Sequence, residues 1–328
     1  MAKKAQIVER VDPKEPRSAK RAKSITMQSV TEGPKPHIGE IIIYGLVILL
    51  LTTGTHSRNR TWNNPIELWA DCVKKSPNKL RPRYNLGNEF SRQGNYGQAI
   101  FHLTEALRID PDYSPAHNNL GSALVRQGKY EEAVVHFTQA VRIAPTNEEA
   151  QNNLGYALSE QGKYQEAVFH LTEALRIKPN YARAHNNLGN VFVRQGKYEQ
   201  AVFHLTEALR IDPNYAEAYY NLGNAFDRQG MYQEAIVDFT QALRINPNYA
   251  EVHNNLGNVF VRQGKYEQAV FHLTEALRIK PNLAATHYNL GNVYLIIGNR
   301  ELALEEYKIL KAINPDLANT LYQKIRQP

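Results

Sequence analysis

Asparagine is the residue type whose spacing in this 328-residue sequence could do chemistry. Asn85, Asn119, Asn153, Asn187, Asn221, Asn255 and Asn289 recur every 34 residues. Asn88, Asn190, Asn224, Asn258 and Asn292 stand three residues behind five of them. A carboxamide both donates and accepts, so a row of them can pair with the backbone of an extended peptide whatever its side chains. Placed beside a Leu-Gly pair, the same groups could instead cap or bridge neighbouring structural units. Arginine recurs one turn further on, at Arg92, Arg126, Arg194, Arg228 and Arg262. A row of guanidinium groups facing a groove would favour a carboxylate-bearing ligand. Each also precedes a Gln-Gly pair at the end of a helical segment, where a cation offsets the helix dipole.

Nine of the eleven histidines occupy two recurring places: His117, His185, His253 and His287 in one, and His102, His136, His170, His204 and His272 in the other. Equivalent residues of stacked units lie on the order of 10 Å apart, too far to share a metal ion at about 2 Å. The spacing therefore predicts no metal site, and instead a set of imidazoles titrating together near neutrality. Glu105, Glu173, Glu207 and Glu275 recur as well, which marks a solvated helix face. A catalytic constellation would be unique within the chain. No such constellation is present, so neither catalysis nor a cofactor is expected. The single cysteine, Cys72, excludes an intramolecular disulfide framework and a cysteine zinc cage. It falls where alanine stands in most repeats and is expected to be buried as a small apolar residue.

The elements that must position these residues follow from the glycines and prolines. Leu-Gly pairs place glycine at 87, 121, 155, 189, 223, 257 and 291, and a second glycine follows each by seven residues. Prolines at 111, 145, 179, 213, 247, 281 and 315 keep the same 34-residue interval. Within Ala182–Tyr215, Ala184, Leu188, Val191 and Phe192 form one helical stripe, and Tyr198, Ala201, Leu205, Ala208 and Leu209 form a second. Gly196 interrupts the two, and Pro213 ends the second by biasing the residue before it away from helix. Each unit is thus a helical hairpin that cannot bury both faces alone, and a stack of them can.

The Leu-Gly, aromatic, alanine and proline positions resemble the tetratricopeptide repeat (TPR) through all seven units, Leu80–Leu317. The resemblance implies an all-α, right-handed α-solenoid of seven TPR helical hairpins whose first helices line an inner groove. Asparagines on that helix are similar to the asparagine ladder in the repeats of O-GlcNAc transferase, which implies a protein or extended peptide as partner. The tryptophan common near the start of the family's first helix is replaced here by His, Tyr, Gln or Arg. Only Arg81 and Arg183 are basic at the second helix position, and the fifth is Asn or Tyr, so the carboxylate clamp of chaperone-tail binders is not reproduced. A linker and an N-terminal half-repeat are expected over 58–79, with Asn64 as the cap and Pro65 in the first turn of the half-repeat, and a C-terminal cap helix over 318–328.

Apolar residues make up 42% of the chain, enough to exclude wholesale disorder. The formal charge of +7 sits largely in residues 1–40, whose nine Lys/Arg against five Asp/Glu mark a disordered basic tail. The folded part lacks a dense basic stripe, so no nucleic-acid partner is expected. Between Ile41 and Ser57 no residue is formally charged, and 41–57 is read as one transmembrane helix preceding the repeats, an uncleaved signal anchor. Nine Lys/Arg precede it, and Arg58, Arg60, Lys74 and Lys75 follow, which places the N-terminus in the cytoplasm and the repeats across the membrane. Residues 41–87, with Thr55–Trp62, Leu68-Trp69, Ser76–Asn78 and Tyr84–Gly87, also resemble the membrane-to-repeat junction of O-mannosyltransferase-like, TPR-bearing membrane glycosyltransferases. That likeness implies an alternative function, the non-catalytic acceptor-recognition part of a membrane glycosyltransferase system with a multi-spanning partner.

Overall fold

The computed structural model describes residues 38–327, and their regular structure is seventeen α-helices with no strand among the described residues. Helix α1 (Ile38–Asn63) is followed by α2 (Pro65–Lys75). Seven hairpins then run α3 (Leu80–Arg92) with α4 (Tyr96–Ile109), α5 (Ser114–Arg126) with α6 (Tyr130–Ile143), and α7 (Glu148–Glu160) with α8 (Tyr164–Ile177). They continue as α9 (Ala182–Arg194) with α10 (Tyr198–Ile211), α11 (Ala216–Arg228) with α12 (Tyr232–Ile245), and α13 (Ala250–Arg262) with α14 (Tyr266–Ile279). The last is α15 (Ala284–Ile296) with α16 (Arg300–Ile313), and α17 (Pro315–Arg326) closes the array.

The fourth hairpin shows why this sequence turns where it does. Gly196 takes φ 73°, a left-handed conformation that a side chain resists. The Lys197 N–H then donates to the Phe192 carbonyl at 2.9 Å, closing the end of α9 around the glycine. Asp212, ahead of Pro213, is extended at φ −130° and ψ 93°, and α10 stops there. Gly189 has a different task. A Cβ on it would lie 2.6 Å from Leu205 Cγ, so α9 and α10 meet at a distance that only glycine permits. Leu188, Val191, Ala201, Leu205 and Ala208 are buried in that contact, and the core runs on through neighbouring hairpins.

The first helix of every hairpin touches the first helix of the next, whereas no two successive second helices do among the described residues. The array therefore curves with its first helices on the inner side. That geometry gathers the recurring asparagines onto one concave surface.

Several expectations need correction. The basic tail falls on residues outside the described ones, except for 38–40, which belong to α1. The helix expected over 41–57 extends at both ends, and 58–63 is helix rather than linker. Among the described residues no helix is long and apolar enough to cross a membrane. The unbroken apolar run, Ile41–Leu51 with Tyr44 and Gly45 inside it, spans roughly 16 Å at 1.5 Å per residue. That is about half the hydrocarbon thickness, and the Thr, His and Ser residues behind it add little apolarity. The half-repeat forms as α2, where the Asn64 side chain accepts from the backbone N–H of Ile66 and Glu67 at 3.1 and 3.4 Å. Packed against α3, α2 buries none of its residues fully, and Cys72 is half-buried rather than buried. The cap helix starts at Pro315, three residues earlier than expected, because Asn314 caps it. Its Leu321 fills the last hairpin where a Cβ on Gly291 would stand 2.6 Å away.

Candidate functional site

The concave asparagines divide into two sets. Those at the sixth helix position reach back to the preceding hairpin. Asn153, Asn187, Asn221 and Asn289 each donate from Nδ2 to the fifth-position carboxamide one repeat earlier, Asn118, Asn152, Asn186 and Asn254, at 3.0, 2.9, 2.9 and 3.3 Å. Where the fifth position is tyrosine the bond is rerouted. Asn119 donates to the Tyr84 hydroxyl at 3.1 Å and to Asn88 Oδ1 at 2.7 Å. Asn255 repeats this with Tyr220 at 3.4 Å and Asn224 at 2.7 Å. Asn85, in the first hairpin, is half-buried. Asn187 and Asn221 are only 9% and 5% exposed, so their first task is to join hairpins.

The ninth-position set lies nearer the solvent. Asn88 and Asn224 are acceptors in the rerouted bonds, and Asn292 donates to the Tyr288 carbonyl and accepts from Lys324 Nζ, each at 2.9 Å. Asn190 and Asn258 are half-buried, and their side chains make no hydrogen bond among the described residues. Among the arginines, Arg194 is held by Glu160 of the preceding repeat at 2.6 Å, and Arg262 pairs with Asp227 in the same way. Arg126 and Arg228 are exposed and carry no ion pair among the described residues, because the residues one repeat earlier are Ser91-Arg92 and Val193-Arg194.

Clefts open on this surface, two of them across successive hairpins. One of about 730 Å³ spans the second to fifth hairpins and is lined by Arg126, Tyr130, Asn153, Tyr156, Arg183 and Tyr215 among others. The other, about 290 Å³, is lined by Asn224, Arg228, Asn255, Asn258 and Arg262. The larger one sits where the ninth position departs from asparagine, to Ser122 and Tyr156. Repetition therefore does leave a distinctive pocket, contrary to the uniformity the period suggests. Burial raises the Tyr156 phenol to about 12, so it remains a neutral hydrogen-bonding group.

A second constellation escaped the reading of spacing because it joins the two histidine series across one hairpin. His117 meets His136, His185 meets His204, and His253 meets His272, Nδ1 to Nδ1, at 3.1, 3.1 and 3.0 Å. The Nε2 atoms of His117 and His185 lie 3.0 and 3.2 Å from the carbonyls of Pro111 and Pro179. Those carbonyls accept, so Nε2 carries the proton and Nδ1 is left to accept from the partner imidazole. Burial, then the facing imidazole, holds His204 and His272 down at about 4. Gln151 replaces the first histidine in the third hairpin and meets His170 Nδ1 at 2.8 Å. In the last hairpin, burial disfavours charge on His287, but the Glu306 carboxylate at 2.5 Å outweighs it and raises its pKa. Asp238 stands in this row, its side chain makes no hydrogen bond among the described residues, and burial pushes it up to about 7. No group of residues fit to hold a metal ion occurs among the described residues.

Family profiles described as TPR repeat match residues 87–128, 189–230 and 257–298, and profiles described as tetratricopeptide repeat match 112–180, 170–203, 216–249 and 239–271. Together they run without a gap from residue 87 to 298. The chain is a tetratricopeptide-repeat protein. Its TPR array is similar to solved structures of the same architecture. The Cut9 and Hcn1 hetero-tetramer of APC/C matches with TM-score 0.64 and 23% identity over 69% of this chain and 45% of that one. A tetratricopeptide repeat protein from Parabacteroides merdae matches at 0.60 and 18%, covering 76% of this chain and 99% of that one. The type IV pilus biogenesis factor PilW matches at 0.59 and 22%, covering 64% and 98%. At these identities the likeness is one of fold. No curated protein matches the chain, and nothing in these matches supports the glycosyltransferase-junction likeness. TPR arrays are typically non-catalytic scaffolds for protein–protein interaction.

Proposed function

We propose that the concave face of the TPR array binds an extended protein segment carrying at least one acidic side chain. The observation that carries this reading is the set of donors on that face left unpaired among the described residues: Asn190, Asn258, Arg126 and Arg228. Two of them are cations without an internal counter-charge, so a carboxylate in the ligand gains a charge-assisted bond without breaking one. The carboxamides supply donor and acceptor to a backbone of any sequence. The sixth-position asparagines hold the groove's curvature and contribute the acceptor lone pairs not used between hairpins. Immobilised extended peptides that differ only in Asp/Glu against Asn/Gln test the idea. The acidic set is expected to capture the full chain. Arg126→Ala with Arg228→Ala should lower that capture at least about tenfold, with thermal unfolding unchanged. Equal capture of acidic and amide peptides would remove the charge component.

The proposal also attaches the N-terminal helix to a bilayer, N-terminus cytoplasmic and repeats on the far side. Side chains from Ile42 to Leu51 are 46–71% exposed, which favours an apolar surrounding, and the Lys/Arg excess lies before them. Because the apolar run is short, this attachment requires local thinning or snorkelling. Release of the full chain by alkaline carbonate would end it. No observation favours the glycosyltransferase alternative.

A further inference from the structure

The larger cleft has a charge order of its own. At the second position of the first helix stand Glu149 on α7, Arg183 on α9 and Glu217 on α11, and all three line the cleft. They are exposed, and none of them forms an ion pair among the described residues. The row is bounded on both sides. Pro115 holds the position one repeat earlier, and one repeat later Glu251 is paired with Lys280. Glu217 lacks that partner because Asn246 stands one repeat before Lys280, and the matching Lys178 near Glu149 pairs with Glu148 instead. Asn186 donates to Glu217 Oε1 at 3.2 Å and to the Tyr215 hydroxyl at 3.4 Å, which fixes this carboxylate beside the ring. A glutamate in the first turn suits the helix dipole, which accounts for two of the three residues. Arg183 sits in the first turn of α9, where a cation is disfavoured and no acidic residue accompanies it. Its helix gains nothing from that charge.

We infer that this row selects a polyproline II segment in which a basic, an acidic and a basic side chain follow one another at every third residue. On the groove reading above, which this site depends on, the acidic side chain meets Arg183 and the basic ones meet Glu149 and Glu217. Equivalent residues of stacked hairpins lie on the order of 10 Å apart. A polyproline II segment rises about 3.1 Å per residue and returns to the same face every third residue, so its i, i+3 and i+6 side chains stand about 9 Å apart on one side. A β-strand shows one face at every second residue, at steps of about 7 or 13 Å, and misses that spacing. Polyproline II ligands also dock in grooves lined by aromatic rings, and Tyr130, Tyr156 and Tyr215 supply them in this cleft. The charge order is the same from either end, so it sets the register of the ligand and not its direction. Arg126, at the last turn of α5, stays open in the same cleft for a second acidic side chain.

Immobilised peptides of equal length, with Pro and Ala at the intervening places, test this on the full chain. Lys-x-x-Glu-x-x-Lys is expected to be captured about tenfold more tightly than Lys-x-Glu-x-Lys or the permuted Glu-x-x-Lys-x-x-Lys, since two exposed charge pairs are worth about that factor. Glu149→Gln with Glu217→Gln should erase the preference. Thermal unfolding should stay unchanged, because both residues are exposed and glutamine keeps the acceptor that Asn186 uses. Equal capture of every peptide with one glutamate, wherever its lysines stand, overturns the inference and leaves the groove reading in place. Capture of none of the peptides removes both. A preference that survives the two glutamine substitutions, or one for the two-residue spacing, also overturns it.

Discussion

Asn187→Ala combined with Asn221→Ala is expected to lower the stability of the repeat array by about 3–5 kcal/mol. Each substitution removes a buried donor and leaves Oδ1 of the facing Asn152 or Asn186 without the bond it accepts, at about 1–3 kcal/mol per orphaned group. The cavity left by the lost carboxamide adds to that. Asn190→Ala with Asn258→Ala should behave in the opposite way, with stability changing by less than about 1 kcal/mol since neither group has an internal bond, while peptide capture weakens. Urea unfolding followed by circular dichroism, together with the peptide-capture assay, separates the two pairs. Were the first pair to leave the midpoint untouched and abolish capture, the sixth-position carboxamides would belong to the ligand and not to the scaffold.

Acidification should unfold the array through the histidine pairs. His204 and His272 sit at about 4 in the folded chain against an ordinary value of 6.5. A base whose folded pKa is depressed contributes stability that is present above the unfolded pKa and lost as pH falls toward the folded one. The window is therefore pH 6.5 down to about 4, with a loss on the order of 1–2 kcal/mol at each site, because solvent screens these half-buried rings. His102, His136, His170, His185 and His253 shift in the same direction, chiefly through burial. Two groups act the other way. His287 has a raised pKa, so its bond to Glu306 is fully present below pH 6.5 and fades as pH rises. Asp238, raised to about 7, is most comfortable when protonated and costs stability as pH climbs from about 4 to 7. With many groups of one sign against two of the other, the net slope is toward instability in acid. His185→Gln with His253→Gln copies the arrangement that Gln151 already makes with His170 and should move the acid midpoint downward. Stability that rises between pH 7 and 5, or a midpoint indifferent to these substitutions, would refute the role given to the pairs.

The sequence by itself determined the architecture. Glycines and prolines at one interval dictate where each helix starts, turns and stops, and these are local demands on φ that Gly196 and Pro213 satisfy whatever surrounds them. The hairpin, its core stripe and the repeat count follow from that, and so does the position of the asparagines on the first helix. Tertiary structure decided what those asparagines and histidines touch. The choice between bridging Asn118 to Asn153 and offering either to a ligand depends on the offset between stacked helices, a distance that a period of 34 does not contain. The histidine series looked too widely spaced to interact because the interval was read between repeats. Packing one helix of a hairpin against the other brought residues 19 apart into hydrogen-bond contact. Curvature, too, arises only when first helices pack more closely than second helices, and it is curvature that makes a polar hollow of their row.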